Sequence, residues 1–169
     1  MTTIAVKDGV MACDSCWLDD NEVHSTSLTK ITRLKSGALL GEAGDVDSRA
    51  MVRLLQNVKT FEQVPLSADL AATNLADYAG LLLFPSGKVA MLSVSRSSTT
   101  GGCSAGAHEV NRGGAAVGSG AGIAVGAMDS GKSAREAVEI ACRRDPYSKA
   151  PVHVVSVKPA VKKAVKKKG

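Results

Sequence analysis

Apolar and polar positions change period several times along the chain, and each change predicts an element. "TTIAVK" (residues 2–7) is short and β-rich, and a turn at "KDG" leads into "VMACDSCWL". Together they predict a hairpin. "NEVHSTSLTKITRLKSGALLGEAG" continues as short strands punctuated by "KSG". Over residues 47–58 the period becomes helical, with Ala50, Met51, Leu54, Leu55 and Val58 on one face and Asp47 or Ser48 as the cap. Residues 67–78 predict a second helix with Leu70, Ala71, Leu75 and Tyr78 inward.

"GLLLFPSGKVAMLSVS" then predicts strand, turn at "PSG" and strand, and "HEVNRGGAAVGSG" a further strand ending in a glycine-rich bend. "GAGIAVGAMDSG" has the small residues of a closely packed helix, stopped by Gly131. Ser133 caps the next helix, with Glu136 three residues on in capping-box position. "PVHVVSV" (residues 151–157) closes the series as an alternating strand. Helices grouped in pairs between runs of strands predict an α+β fold of two antiparallel sheets with helices outside, not a βαβ layout.

The 169 residues suffice for one domain with a sizeable core. We expect it to span residues 2–157, followed by a lysine-rich tail over 158–169. With 2 Phe, 2 Tyr and 1 Trp against 17 Gly, small residues must do much of the packing. No apolar run approaches the roughly 18 residues of a membrane span, and a signal-peptide pattern is missing, so the expectation is a cytoplasmic protein with reduced thiols and no membrane partner.

Charge is unevenly placed. The net +5 includes six lysines in "KPAVKKAVKKKG"; without them 15 of the 21 basic residues face 16 acidic ones, leaving the body near −1. The tail offers almost nothing to bury, which predicts a solvated, mobile end. Two readings stay open for it: a solubility device, or a contact for an acidic partner or nucleic acid.

Cys13 and Cys16 form a Cys-x-x-Cys pair, which raises zinc or redox chemistry. Zinc needs two further ligands, and Cys103, Cys142, His24 and His108 have no ligand-like spacing. Cys13 reads as an ordinary buried small residue. The residue between the cysteines, Asp14, is the better candidate, because an acid inside an apolar strand needs a partner.

Taken in order, "TTIAV", "ACDS", "KITRL", "GSG", "GAMDSGKSAREAVEIACRRDPYS" and "PVHVVSV" resemble the threonine peptidases of the proteasome β-subunit family, the bacterial HslV branch included. The resemblance runs from Thr2 to about Val157, and "RDPYS" is its most distinctive piece. It implies a four-layer αββα sandwich, the N-terminal nucleophile hydrolase fold. It also implies a threonine nucleophile at the start of the mature chain, so Met1 would be removed to expose Thr2. A free α-amino group, with a reference pKa of roughly 7.7–8.0, then serves as the built-in base for a poor hydroxyl nucleophile.

By the same resemblance Lys30 favours the developing alkoxide, Asp14 holds Lys30 charged and oriented, and the Gly44 N–H stabilises the oxyanion. Asp45 stands where many relatives have a second glycine. Ser119, Asp145 and Ser148 match residues that hydrogen-bond around the terminal amine. Glu42 falls at the floor of the S1 pocket, where a carboxylate would favour Lys or Arg. In the HslV branch, carbonyls corresponding to Cys142, Asp145 and Ser148 can bind Na+; peptide hydrolysis itself requires no cofactor.

The function implied is a threonine-type endopeptidase subunit of a self-compartmentalising protease. Its partners would be further copies in a homo-oligomeric ring, a separate AAA+ ATPase unfoldase and unfolded protein substrates. The chain's own "DSGKSA" only imitates the end of a phosphate-binding loop, since "GxxxxGK[ST]" is missing. Rival readings are a non-proteolytic ring scaffold of the same fold, an N-terminal-nucleophile amidase acting on a small molecule, and a nucleic-acid binder driven by the tail. Retention of Thr2, Asp14, Lys30 and Gly44 weighs against the scaffold.

Overall fold

The computed structural model describes residues 2–19, 22–44, 48–65, 67–73, 75–111 and 113–157. Met1, Asp45, Asp47 and the lysine-rich tail over 158–169, all singled out in the sequence, lie outside these residues.

The fold is mixed α+β. Strands β1 (Thr3–Lys7) and β2 (Val10–Cys13) form the expected hairpin, turning at Asp8 and Gly9, both at positive φ. A small separate hairpin, β3 (Trp17–Asp19) with β4 (Glu22–Ser25), follows. Next come β5 (Ile31–Arg33) and β6 (Leu39–Gly44), joined by a turn at Gly37 with φ 86°. Helix α1 (Ser48–Leu55), a 3-10 turn (Phe61–Gln63) and helix α2 (Ser67–Ala71) lead to β7 (Asp77–Leu83), β8 (Val89–Arg96) and β9 (Cys103–Val110). Strand β10 (Gly114–Gly118), helices α3 (Ala121–Asp129) and α4 (Ala134–Arg144), and β11 (His153–Ser156) complete the chain.

Two antiparallel sheets result. One runs β10-β1-β2-β11 and the other β5-β6-β7-β8-β9. Three apolar clusters hold the elements together. Between the sheets lie Ile4, Val6, Met11, Cys13, Leu39, Leu81, Leu83 and Val117. Leu40, Met51, Leu55, Leu70, Tyr78, Leu82 and Phe84 pack α1 and α2 on the five-stranded sheet. Ala5, Ala12, Ala116, Ala124, Ala137 and Val138 pack α3 and α4 on the four-stranded one. Each fully buried Leu or Met contributes about 2 kcal/mol of transfer free energy, whereas the alanine interface brings backbones close together. This difference decides which helices can reach the site.

Two predicted helices are too long: the first ends at Leu55 rather than at Val58, and the second is cut shorter still. The segment expected to run to Tyr78 stops at Ala71, where the Thr73 hydroxyl bonds the Leu70 carbonyl at 2.6 Å. Tyr78 belongs to β7, opposite Gly44 on β6 and Val94 on β8. The helical spacing of Leu75 and Tyr78 was a coincidence of two inward positions that tertiary pairing satisfies in a strand. The "HEVNRGGAAVGSG" segment divides between two strands in different sheets, β9 and β10. The α4 capping box forms as expected, Ser133 and Glu136 serving each other's backbone N–H. Lys132, the lysine of the loop-like "GKS", pairs with Glu136 at 3.3 Å. No helix among the described residues is long and apolar enough to cross a membrane.

Candidate active site

β1 begins at Thr3 and sets Thr2 at the open end of the four-stranded sheet, buried to 6% exposure. The neighbouring strand brings Asp14 alongside: the Asp14 N–H donates to the Thr3 carbonyl at 3.0 Å, and the Thr3 N–H donates to Asp14 Oδ1 at 2.9 Å. Asp14 is fully buried, so its charge must be met inside the protein. Lys30 meets it, Nζ lying 2.8 Å from Oδ1 with 6% of the lysine side chain exposed. The backbone N–H groups of Cys16 and Lys149 donate to Oδ2 at 3.0 and 3.3 Å. From this anchored position Lys30 Nζ also donates to Thr2 Oγ1 at 2.6 Å.

A second network approaches Thr2 from the other side. Ser119 Oγ lies 2.7 Å from Asp145 Oδ2 and 3.4 Å from the Thr2 carbonyl oxygen. Ser148 donates to the same Asp145 oxygen at 2.6 Å, so its contact with Thr3 Oγ1, also 2.6 Å, has Thr3 as the donor. Burial acts to raise the Asp145 carboxyl, but the hydroxyls of Ser148 and Ser119 and the Tyr147 N–H outweigh it and hold the group below the usual range. The close approach depends on two glycines. Gly118 sits at φ 92°, where a Cβ would collide with the Thr2 carbonyl, and a Cβ on Gly120 would collide with Thr3 Oγ1.

Gly44 ends β6 at φ 88°, exposed, and a Cβ there would collide with the Asp77 carbonyl. Glu42, two residues earlier, is only 4% exposed. Its N–H donates to the Lys30 carbonyl at 3.2 Å, and the Tyr78 hydroxyl donates to its Oε1 at 3.4 Å.

Thr2, Asp14, Lys30, Ser119, Asp145 and Ser148 are thus joined by hydrogen bonds, and Glu42 is tied to the group through the Lys30 backbone. Sequence reasoning missed Thr3, Gly118, Gly120 and Tyr78. The only available signal was "GSG", since a buried threonine in "TTIAV" looks like any strand residue.

Cys13 and Cys16 are both fully buried free thiols. Burial pushes the Cys13 thiol up, opposed by the Lys30 backbone N–H, and pushes Cys142 up to about 11. Neither is a ready thiolate. Among the described residues no group of three or more His, Cys, Asp and Glu side chains is placed to hold a metal. Of the carbonyls named for a sodium ion, that of Cys142 would in a continuing helix accept from residue 146, a proline with no N–H. The Asp145 carbonyl accepts the Ser148 N–H at 3.3 Å and retains a second lone pair.

A lysine ammonium on a threonine oxygen, backed by a buried carboxylate, can stabilise negative charge at that oxygen. Neither a protein-family model nor a curated protein sequence matches the chain.

Proposed function

We propose that the protein is a threonine-type endopeptidase with Thr2 as nucleophile. The observation that carries this reading is Lys30 Nζ, 2.6 Å from Thr2 Oγ1 and 2.8 Å from Asp14 Oδ1 in a buried setting. A buried ion pair aimed at a hydroxyl costs desolvation, and a scaffold has no physical need of it. The three stacked apolar clusters also suit the four-layer αββα sandwich of N-terminal nucleophile hydrolases.

With Met1 removed, the Thr2 amine takes the Oγ1 proton, directly or through one water, as Oγ1 attacks the peptide carbonyl. Lys30 offsets the charge growing on Oγ1. The backbone N–H of Gly44 receives the tetrahedral oxyanion, an interaction worth roughly 3–4 kcal/mol of barrier. As the intermediate collapses, the C–N bond breaks and the Thr2 ammonium protonates the leaving amine. An ester on Oγ1 remains. Water, deprotonated by the same amine, then attacks the ester, releasing the acid and restoring the hydroxyl. Asp145, Ser119 and Ser148 orient the backbone and amine of Thr2. A bound sodium ion would be held by the carbonyls of Cys142, Asp145 and Ser148, and would stiffen the end of α4.

In this reading the protein works in the cytoplasm as a homo-oligomeric ring and receives unfolded chains from a separate ATPase. Intact mass and N-terminal sequencing should show Thr2 as the first residue of active material. Thr2→Ala should lower kcat/KM on a fluorogenic peptide by at least about 10³-fold. Active protein that retains Met1, or an active Thr2→Ala variant, would sink the reading.

A further inference from the structure

The chain enters β1 with two consecutive threonines on opposite sides. Ile4 and Val6 lie in the cluster between the sheets, and Ala5 in the cluster under α3 and α4. By strand alternation Thr2 points toward the first, where Lys30 meets it, and Thr3 toward the helices. That helix side is packed mostly with alanines, among them Ala5, Ala12, Ala124 and Ala137. A fully buried hydroxyl in such a layer costs free energy unless it is hydrogen-bonded. Thr3 meets the demand through Ser148, itself fully buried, at 2.6 Å. Gly120 makes the space: a Cβ there would collide with Thr3 Oγ1 and stand 3.2 Å from Asp145 Oδ2.

Each hydroxyl carries one proton, and that fixes the direction of every bond in the cluster. Ser119 and Ser148 both give theirs to Asp145 Oδ2, at 2.7 and 2.6 Å. Thr3 gives its own to Ser148. Thr3, Ser148 and Asp145 thus form a chain with its protons aimed at the carboxylate, and each donation polarises the next. Ser148 keeps one lone pair, held in direction by a short bond on either side. The Thr3 backbone is fixed as well, because its N–H donates to Asp14 Oδ1 at 2.9 Å and its carbonyl accepts the Asp14 N–H at 3.0 Å. One residue therefore ties the hydroxyl network to the carboxylate that holds Lys30.

We infer that Thr3 is a positioning residue for cleavage: by donating to Ser148 it leaves Ser148 able only to accept, and turns that acceptor to the α-amine of Thr2. The inference rests on the peptidase reading, in which that amine is the base, and adds a residue that the family motifs leave without a role. An acceptor on the N–H bonds of the amine leaves its lone pair free for the Oγ1 proton. It also steadies the ammonium that results. Thr3 acts through Ser148.

The test compares Thr3→Val, Thr3→Ala and Thr3→Ser in the full chain on one fluorogenic peptide. Thr3→Val and Thr3→Ala remove the donor and should lower kcat by about 10–100-fold, a misplacement effect, with KM within about twofold of wild type. Thr3→Ser keeps the donor and should recover most of that loss. The acid limb of the kcat/KM profile should move to lower pH in Thr3→Val and not in Thr3→Ser, because the amine loses an acceptor that favours its charged form. In a Ser148→Ala background Thr3→Val should have no further effect. Should Thr3→Val fail to fold, Thr3→Ala, which only removes atoms, still decides. An unchanged kcat, an acid limb that stays in place, a Thr3→Ser variant as slow as Thr3→Val, or losses that add to those of Ser148→Ala would each overturn the inference. An inactive Thr2→Ala variant would leave the peptidase reading intact in all four cases. If no peptide is cleaved, that reading falls, and acetic anhydride labelling of the Thr2 amine against pH, in chain lacking Met1, still judges Thr3. A labelling curve that moves to lower pH in Thr3→Val but not in Thr3→Ser upholds the positioning role; one that stays in place overturns it. A chain that retains Met1 has no such amine and overturns both.

Discussion

Asp14 and Asp145 are two buried carboxylates on either side of Thr2, and the chain satisfies them by different means. Asp14 sits on the β1–β2 hairpin and faces a full positive charge, with three backbone N–H groups filling its remaining lone pairs. Asp145 caps the C-terminal end of α4 and takes two neutral hydroxyls and one N–H. Among the described residues no ion pair forms on it. A charge balanced by a charge can hold a cation against the Thr2 oxygen. A charge balanced by hydroxyls fixes a chain of small polar groups around the Thr2 backbone instead. The alanine-lined packing of α3 and α4 allows this, because α4 must come close to β1 for Ser148 to reach Thr3.

The largest effect should come from breaking the charged side. Asp14→Asn leaves Lys30 buried without its counter-charge, and its amide cannot accept on both edges as the carboxylate does. We expect about 3–5 kcal/mol of lost stability and a fall of at least about 10³-fold in kcat/KM. Urea midpoints and peptide cleavage measure the two together. Full activity in this variant would remove Asp14 from the mechanism. Gly118→Ala attacks the other side at its closest approach. The methyl group is forced onto the Thr2 carbonyl at a left-handed φ, and such strain costs about 1–3 kcal/mol. The displacement of Thr2 from Lys30 should lower kcat/KM by about 10²-fold, a misplacement effect, with a smaller change in urea midpoint than for Asp14→Asn.

The two sides also differed in how far the sequence revealed them. An acid between Cys13 and Ser15 in an apolar strand announces that it has a partner, but naming Lys30 took a resemblance to known motifs, because periodicity reports only on neighbours in the chain. The capping box at Ser133 and Glu136 and the β1–β2 hairpin turning at "KDG" were legible because they depend on residues within a few positions of one another. Thr3 and Gly120 were not, since their roles exist only once residues 3, 120, 145 and 148 meet. Tyr78 was misread for a related reason. Its spacing from Leu75 fits a helix, and only pairing with Gly44 and Val94 makes it a strand residue.

A gentler probe of the hydroxyl-balanced side is pH. The Asp145 carboxyl lies below its usual range, so its contribution is present above the unfolded value of about 3.9 and is lost as pH falls through the lower folded value. Asp145→Asn keeps one acceptor but places an amide where a second is needed. It should destabilise the protein at pH 7 by about 1–3 kcal/mol. The gap to wild type should shrink below about pH 4, as the native carboxyl itself takes up a proton. Urea midpoints at pH 7 and pH 3 would show it, and a gap that stays constant would detach Asp145 from its hydroxyl network.

The smallest expected effect separates the platform from the site it carries. Ser133 caps α4 at the end remote from Asp145, accepting the Glu136 N–H through its hydroxyl. Ser133→Ala removes that acceptor, at a cost of about 1 kcal/mol. The helix's inward face of Ala134, Ala137, Val138 and Ala141 stays intact, so its last turn should still deliver Asp145 and Ser148 to Thr2 and Thr3. A lower urea midpoint with kcat/KM within about twofold of wild type is therefore expected, because sites this far apart with no shared partner act almost independently. A drop in turnover as large as that of Asp145→Asn would mean that α4 transmits strain along its whole length, and that the hydroxyl-balanced side is set by the helix as a unit rather than by its final turn.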